Sequence, residues 1–97
     1  MQILLTYDVE TMTPEGRKRL RQVAKVCIDY GQRVQNSVFE MNIDPATLVV
    51  VKSKINDIID AKKDSIRIYN LGKHWERRVE TMGLDHSYNP ESDLLML

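Results

Sequence analysis

An aspartate closes the first apolar stretch of the chain, where Ile3, Leu4 and Leu5 run into Tyr7 and Asp8. An ionised carboxylate at the end of a buried run is costly unless a cation or water meets it. One interpretation of Asp8 is a turn-forming or capping residue after a strand. The other is a metal ligand, because Mg²⁺ accepts one or two carboxylates and completes its shell with water and phosphate oxygens. The second interpretation points to metal-assisted hydrolysis of a phosphodiester.

One carboxylate per chain is enough for such a site if a twofold axis brings two copies of Asp8 together. The two carboxylates repel each other, and a divalent ion between them removes that penalty. Glu10 would share a face with Asp8 if the strand continued that far, but a loop position is favoured, so Glu10 is at most an accessory ligand.

A group of basic side chains is the second candidate site. At 100° per residue, four of them share one face of the first predicted helix: Arg17, Lys18, Arg21 and Lys25. Such a face is often only solvated surface. Like charges on adjacent turns nevertheless repel by about a few tenths of a kcal/mol per pair. Phosphates would relieve this repulsion and give salt-sensitive binding without sequence preference. Arg19 lies apart, on the other flank of the apolar stripe.

Composition argues against several other classes of function. Formal net charge is zero, so only local charge can favour a nucleic-acid partner. The single cysteine, Cys27, excludes an internal disulfide, and core packing is its expected role. His74 and His86 form no ligand or triad spacing, and there is no phosphate-binding glycine loop. No apolar run or signal peptide indicates a membrane, so we expect a cytoplasmic protein without membrane contact.

The elements that must position these residues begin with a strand over residues 2–8. Its apolar residues are consecutive, which is typical of a central strand covered on both faces. Thr13 is the predicted N-cap of a helix over residues 14–29, with Pro14 at its first position and Gly31 as its stop.

The middle segment, residues 32–43, is one long strand or two short strands that turn near Asn36. If it stays extended, one face carries Arg33, Ser37 and Phe39; for Phe39 a core or interface position is favoured over base stacking. A second helix capped by Asp44 should reach about residue 61. Its predicted apolar stripe is Leu48, Val51, Ile55, Ile58 and Ile59. The alternation of residues 65–71 predicts a last strand with one exposed face.

This βαββαβ order predicts an α+β, ferredoxin-like fold with two helices on one face of an antiparallel sheet. Residues 1–72 form the predicted core, and residues 73–97 a C-terminal strand or tail that packs on a partner subunit. Because the helices leave the other sheet face bare, we expect a homodimer.

Three stretches, "LLTYDV", "RLRQVAKVCIDYGQRVQNSVFE" and "DSIRIYNLG", resemble the CRISPR-associated protein two family, the small member of the pair of proteins that captures new spacers. The resemblance runs from residue 3 to about residue 72, and its last stretch looks most like the type I-C branch.

The resemblance implies a ferredoxin-like homodimer in which Asp8 of both chains binds one Mg²⁺ or another divalent ion. It implies an endonuclease acting on RNA or double-stranded DNA, or alternatively a non-catalytic dimer that binds nucleic acid and bridges integrase subunits. The family's tail strand, which pairs with the partner subunit, would correspond to a segment within residues 77–97.

Tyr7 and Asp8 match the family's strand-end pair. Together with the basic helix face, the resemblance gives a predicted site. Asp8 is its catalytic residue and metal ligand. The expected nucleic-acid contacts are Arg17, Arg19, Arg21 and Arg33, and the supporting residues are Tyr7, Ser37 and Phe39.

Overall fold

The computed structural model describes residues 1–73 and 78–83 of the 97-residue chain. The elements are β1 (Gln2–Asp8), α1 (Pro14–Tyr30), β2 (Gly31–Gln35), β3 (Val38–Asn42), α2 (Pro45–Asn56) and β4 (Ser65–Gly72). This order confirms the predicted ferredoxin-like pattern. The proposed extension, residues 73–97, lies mostly outside the described residues.

The four strands form one antiparallel sheet in the order β2-β3-β1-β4, so β1 is central as predicted. Leu5 of β1 lies opposite Phe39 of β3 on one side and Ile68 of β4 on the other. Because side chains alternate along a strand, Ile3, Leu5 and Tyr7 share one face, and all three are buried.

The helices pack on that face and complete one apolar core. Val23 and Cys27 of α1 and Val51 of α2 are fully buried against the strand residues. Phe39 is also fully buried, which confirms the core interpretation over a base-stacking platform. Burial raises the pKa of the Cys27 thiol to about 12, so this cysteine is a core residue and no nucleophile at neutral pH.

The caps of both helices follow the predicted chemistry. The Thr13 hydroxyl accepts a hydrogen bond from the Gly16 N–H at 3.1 Å, and Asp44 Oδ1 accepts one from the Thr47 N–H at 2.7 Å. α1 ends at Tyr30 because Gly31 passes directly into β2. Neither helix within the described residues is long and apolar enough to cross a bilayer.

The structure decides one alternative that the sequence left open and corrects one predicted helix end. The middle segment is a hairpin of two strands, so Arg33, Ser37 and Phe39 do not alternate along one strand; Arg33 instead lies opposite Phe39. α2 ends at Asn56, short of residue 61, because the Ile58 N–H bonds back to the Ile55 carbonyl in a tighter turn.

No helix of the described residues packs on the second face of the sheet. Leu4 and Thr6 of β1 and Val38 of β3 are only half-buried there, and Tyr69 of β4 is 42% exposed. Within residues 1–73 and 78–83, β1 is therefore covered on one face, and the expected cover of its other face is not found among them. The other face is available for a partner.

Candidate active site

Asp8 is the last residue of β1, and its side chain lies on the open face of the sheet. It is exposed and lies opposite Ser65, the first residue of β4. Its neighbour Tyr7 points the other way, is 2% exposed and belongs to the core. The Tyr7 N–H donates to the Ser37 carbonyl at 2.9 Å, so the β2–β3 turn holds the end of β1 from one side.

A buried carboxylate, Asp64, holds the same strand end from the other side. Its side chain is fully buried and accepts the Tyr7 hydroxyl at 2.5 Å. Arg19 of α1 donates to both carboxylate oxygens, from Nε at 2.8 Å and from Nη2 at 3.2 Å. The Asp60 N–H adds a fourth bond at 3.0 Å. These partners satisfy a charge whose burial would otherwise be unfavourable.

The charge states of this cluster follow from these contacts. Burial alone would raise the pKa of Asp64, but hydrogen bonds from Arg19, Tyr7 and the Asp60 amide outweigh it and lower that pKa. Burial, and then the Asp64 carboxylate, raise the pKa of the Tyr7 phenol. At neutral pH, Asp64 is therefore ionised and Tyr7 is a protonated donor.

Asp64 was missed by reasoning from the sequence, which assigned it no role and included it only as the first residue of the stretch "DSIRIYNLG". Arg19 was expected to contact nucleic acid, but the structure places its guanidinium against Asp64, with a side chain only 15% exposed. The signal available in the sequence was the position of Arg19, apart from the other basic residues of α1. Its partner lies 45 residues away, so local patterns do not reveal it.

The loop after Asp8 is held by the first turn of α1. Arg17 Nη1 donates to the Thr11 carbonyl at 3.0 Å. The Glu10 carboxylate accepts the Met12 N–H at 2.7 Å, and Glu10 follows β1, as the favoured loop position implied. The Glu10 carboxylate therefore stabilises the turn that follows β1. The strand ends at Asp8, so Glu10 does not continue the strand face that carries Asp8.

The remaining basic side chains differ in their exposure and in the contacts that fix them. Four of α1 are exposed: Arg17, Lys18, Arg21 and Lys25. Arg33 is half-buried, donates through Nε and Nη2 to the Asn36 carbonyl, and lies 5.7 Å from the centroid of the Phe39 ring. Arg33 therefore stabilises the β2–β3 hairpin. Ser37 lies in the turn of that hairpin.

The donor set fits a hard divalent cation only if two chains share it. Among residues 1–73 and 78–83, no group of three or more His, Cys, Asp or Glu residues is placed to hold a metal. The Asp8 carboxylate takes part in none of the hydrogen bonds or ion pairs found in this part of the chain. One free carboxylate from each of two chains is the ligand number that Mg²⁺ commonly takes from protein.

Comparisons with known proteins give a consistent result. The family model described as "CRISPR associated protein Cas2" matches residues 1–79. A Rhodospirillum rubrum protein named CRISPR-associated endoribonuclease Cas2 3 is 53% identical over 97% of this chain and 99% of its own length. A Halalkalibacterium halodurans protein named CRISPR-associated endonuclease Cas2 is 48% identical over 98% of this chain and 99% of its own.

Among solved structures, Streptococcus pyogenes Cas2 at pH 6.5 superposes with a TM-score of 0.81 and 65% identity, covering 86% of this chain and all of that one. The similarity spans the strand end that carries Asp8, the helix that carries the basic residues and the whole sheet. The chain belongs to the CRISPR-associated protein Cas2 family.

Proposed function

We propose that this protein is a metal-dependent endonuclease of CRISPR spacer acquisition that works as a homodimer. The observation that carries the proposal is the Asp8 carboxylate at the end of the central strand, which is exposed and has no bonding partner among residues 1–73 and 78–83. Relatives that match nearly the full chain are named endoribonuclease or endonuclease. A cytoplasmic location and the type I-C branch stay predictions of the same proposal.

The homodimer supplies what one chain lacks. In the part of a protomer that the structure describes, Asp8 is the carboxylate offered on the open face at the strand end, and the same face carries the half-buried Leu4, Thr6 and Val38. Covering this face with a second copy would bury apolar surface and bring two Asp8 side chains to one side of the assembly. Two carboxylates and water suit one Mg²⁺ per dimer.

The protein's own residues would bind and orient the nucleic acid. Arg17 and Arg21, with Lys18 and Lys25, present exposed cations on one helix face and suit phosphates. Arg33 is anchored to Asn36, so it can offer phosphate only the N–H groups that this contact leaves. Arg19 is committed to Asp64, and we assign it to support of the strand end. A divalent ion at Asp8 would supply a Lewis acid to the phosphodiester.

The test is cleavage of single-stranded RNA and double-stranded DNA by wild type and by Asp8→Asn across a Mg²⁺ titration. Asn has nearly the shape of Asp but no charge, so we expect at least about a hundredfold loss of the Mg²⁺-dependent rate. Asp57→Asn, an exposed aspartate at the end of α2, is the matched control and should cleave like wild type. Equal rates for Asp8→Asn and wild type would refute the nuclease assignment.

A second candidate function is a non-catalytic dimer that binds nucleic acid and bridges integrase subunits. Asp8 is the single carboxylate proposed as a metal ligand in each chain, which is few groups for catalysis, whereas the exposed cations of α1 suit duplex phosphates. In this case Asp8→Asn leaves spacer integration intact, and Arg17→Glu with Arg21→Glu weakens DNA binding and flattens its salt dependence. The predicted integrase-binding tail, within residues 77–97, lies mostly outside the described residues, and its role stays a prediction.

A further inference from the structure

We propose that Asp64 is a positioning residue for Asp8: it fixes the end of β1 so that the Asp8 carboxylate is held ready for a cation. This inference rests on the metal-binding role proposed for Asp8. Asp64 does not face the open side of the sheet and is not itself a candidate ligand, because its side chain is fully buried and both its oxygens are engaged.

The sheet register shows how Asp64 acts on Asp8. Asp8 lies opposite Ser65 at the end of the β1–β4 pair; Tyr7 precedes Asp8 in β1, and Asp64 comes just before β4, beyond the paired residues. Alternation puts Asp8 and Ser65 on the open face and Tyr7 on the helix face. On that side the Tyr7 hydroxyl bonds to the buried Asp64 carboxylate, so this bond ties the end of β1 to the residue that leads into β4, behind the Asp8–Ser65 pair.

The same carboxylate connects two further parts of the fold to this point. Arg19 brings in α1 through two bonds, and the Asp60 amide brings in the turn before β4. In contrast, Asp8 has no side-chain partner of its own within the described residues. The position of the Asp8 carboxylate therefore depends on the backbone of the strand end. Asp64 holds that strand end through the side chain of Tyr7, the residue before Asp8.

Removing one acceptor from this cluster should loosen the strand end while the apolar core remains. Asp64→Asn keeps the size of the side chain, but its amide N–H₂ then meets the Arg19 guanidinium, which is nearly buried. Groups that orient a metal ligand typically change metal affinity by about 10–100-fold when they are lost. Tyr7→Phe removes a single bond to Asp64, so its effect should be smaller and in the same direction.

The experiment measures binding of Mn²⁺, a spectroscopic substitute for Mg²⁺, to the full-length dimer by electron paramagnetic resonance, without nucleic acid. The variants are Asp8→Asn, Asp64→Asn and Tyr7→Phe. Asp57→Asn is the matched control, because Asp57 is exposed just after α2 and takes part in none of the bonds to Asp64. We expect Asp8→Asn to abolish specific binding, Asp64→Asn to weaken it about tenfold or more, and Asp57→Asn to match wild type.

A cleavage assay separates positioning from general damage. For Asp64→Asn the Mg²⁺ concentration at half-maximal rate should rise by about the same factor, and saturating Mg²⁺ should restore most of the maximal rate. If Asp64→Asn does not fold, Tyr7→Phe carries the same test with the ion pair intact. Loss of binding in Asp8→Asn with wild-type affinity in both Asp64→Asn and Tyr7→Phe overturns the inference alone. Wild-type Mn²⁺ binding by Asp8→Asn overturns the proposed metal site, and the inference with it.

Discussion

The carbonyl oxygen of Glu10 lies directly against the α-carbon of Gly16, so that a Cβ on residue 16 would lie 1.6 Å from this oxygen. Glu10 belongs to the loop that follows Asp8, and Gly16 lies in the first turn of α1. The loop and the helix can approach this closely only because residue 16 has no side chain. The path of the chain after Asp8 therefore depends on a glycine in the next element, α1.

Gly16→Ala tests this close approach. The obstructing atoms are backbone, so they cannot rotate away, and we expect a loss of about 1–3 kcal/mol in the free energy of unfolding. The loss is measured by urea denaturation. Gln22→Ala, at an exposed position of the same helix, is the control and should not destabilise, because alanine favours helix. An unchanged midpoint for Gly16→Ala would mean that the loop can relocate freely.

Asp64→Asn should destabilise the fold at neutral pH by about 3 kcal/mol, because it leaves Arg19 without its buried counter-charge. The pH dependence has a definite sign. The folded-state pKa of Asp64 is lowered, so its stabilisation is fully present above the unfolded pKa of about 3.9 and is lost as the pH falls through the folded value.

The measurement is the difference in free energy of unfolding between wild type and Asp64→Asn at pH 7, 5, 4 and 3. We expect a constant difference from pH 7 to pH 5 and a shrinking one below about pH 4. A difference that is the same at pH 3 and pH 7 would show that Asp64 is not ionised in the folded protein. Asp57→Asn, at an exposed position, serves as the control.

The sequence was sufficient for those parts of the fold that local patterns determine. Thr13, Asp44 and the two prolines after them marked both helix starts, and the consecutive apolar residues of β1 marked the central strand. The Arg19–Asp64 pair joins residues 45 apart and has no local signature, so Arg19 was grouped with the phosphate-binding residues. The end of α2 was overestimated because Ile58 and Ile59 continue the apolar spacing although the backbone has already turned.

Cys27 should be unreactive in the folded protein. The thiol is fully buried, and burial raises its pKa to about 12, so almost no thiolate forms near pH 8. We expect no reaction with a chromogenic disulfide reagent at pH 8 under native conditions and one thiol per chain in guanidinium chloride, in line with the single cysteine of the sequence. Rapid labelling of the native protein would contradict the packing of α1 on the sheet.

Leu4→Lys tests whether the open sheet face joins two subunits. Leu4 is half-buried between Glu40 and Tyr69 on neighbouring strands, and a lysine there would place a charge in any interface built on this face. We expect Leu4→Lys to sediment as a monomer at concentrations where wild type is a dimer, and to lose Mg²⁺-dependent cleavage because the two Asp8 carboxylates separate. Val49→Lys is the matched control, since Val49 lies on the exposed side of α2 and is 66% exposed. If Leu4→Lys remained dimeric and active, the subunits would have to meet through another surface, and a metal site shared by two Asp8 residues on this face would be ruled out.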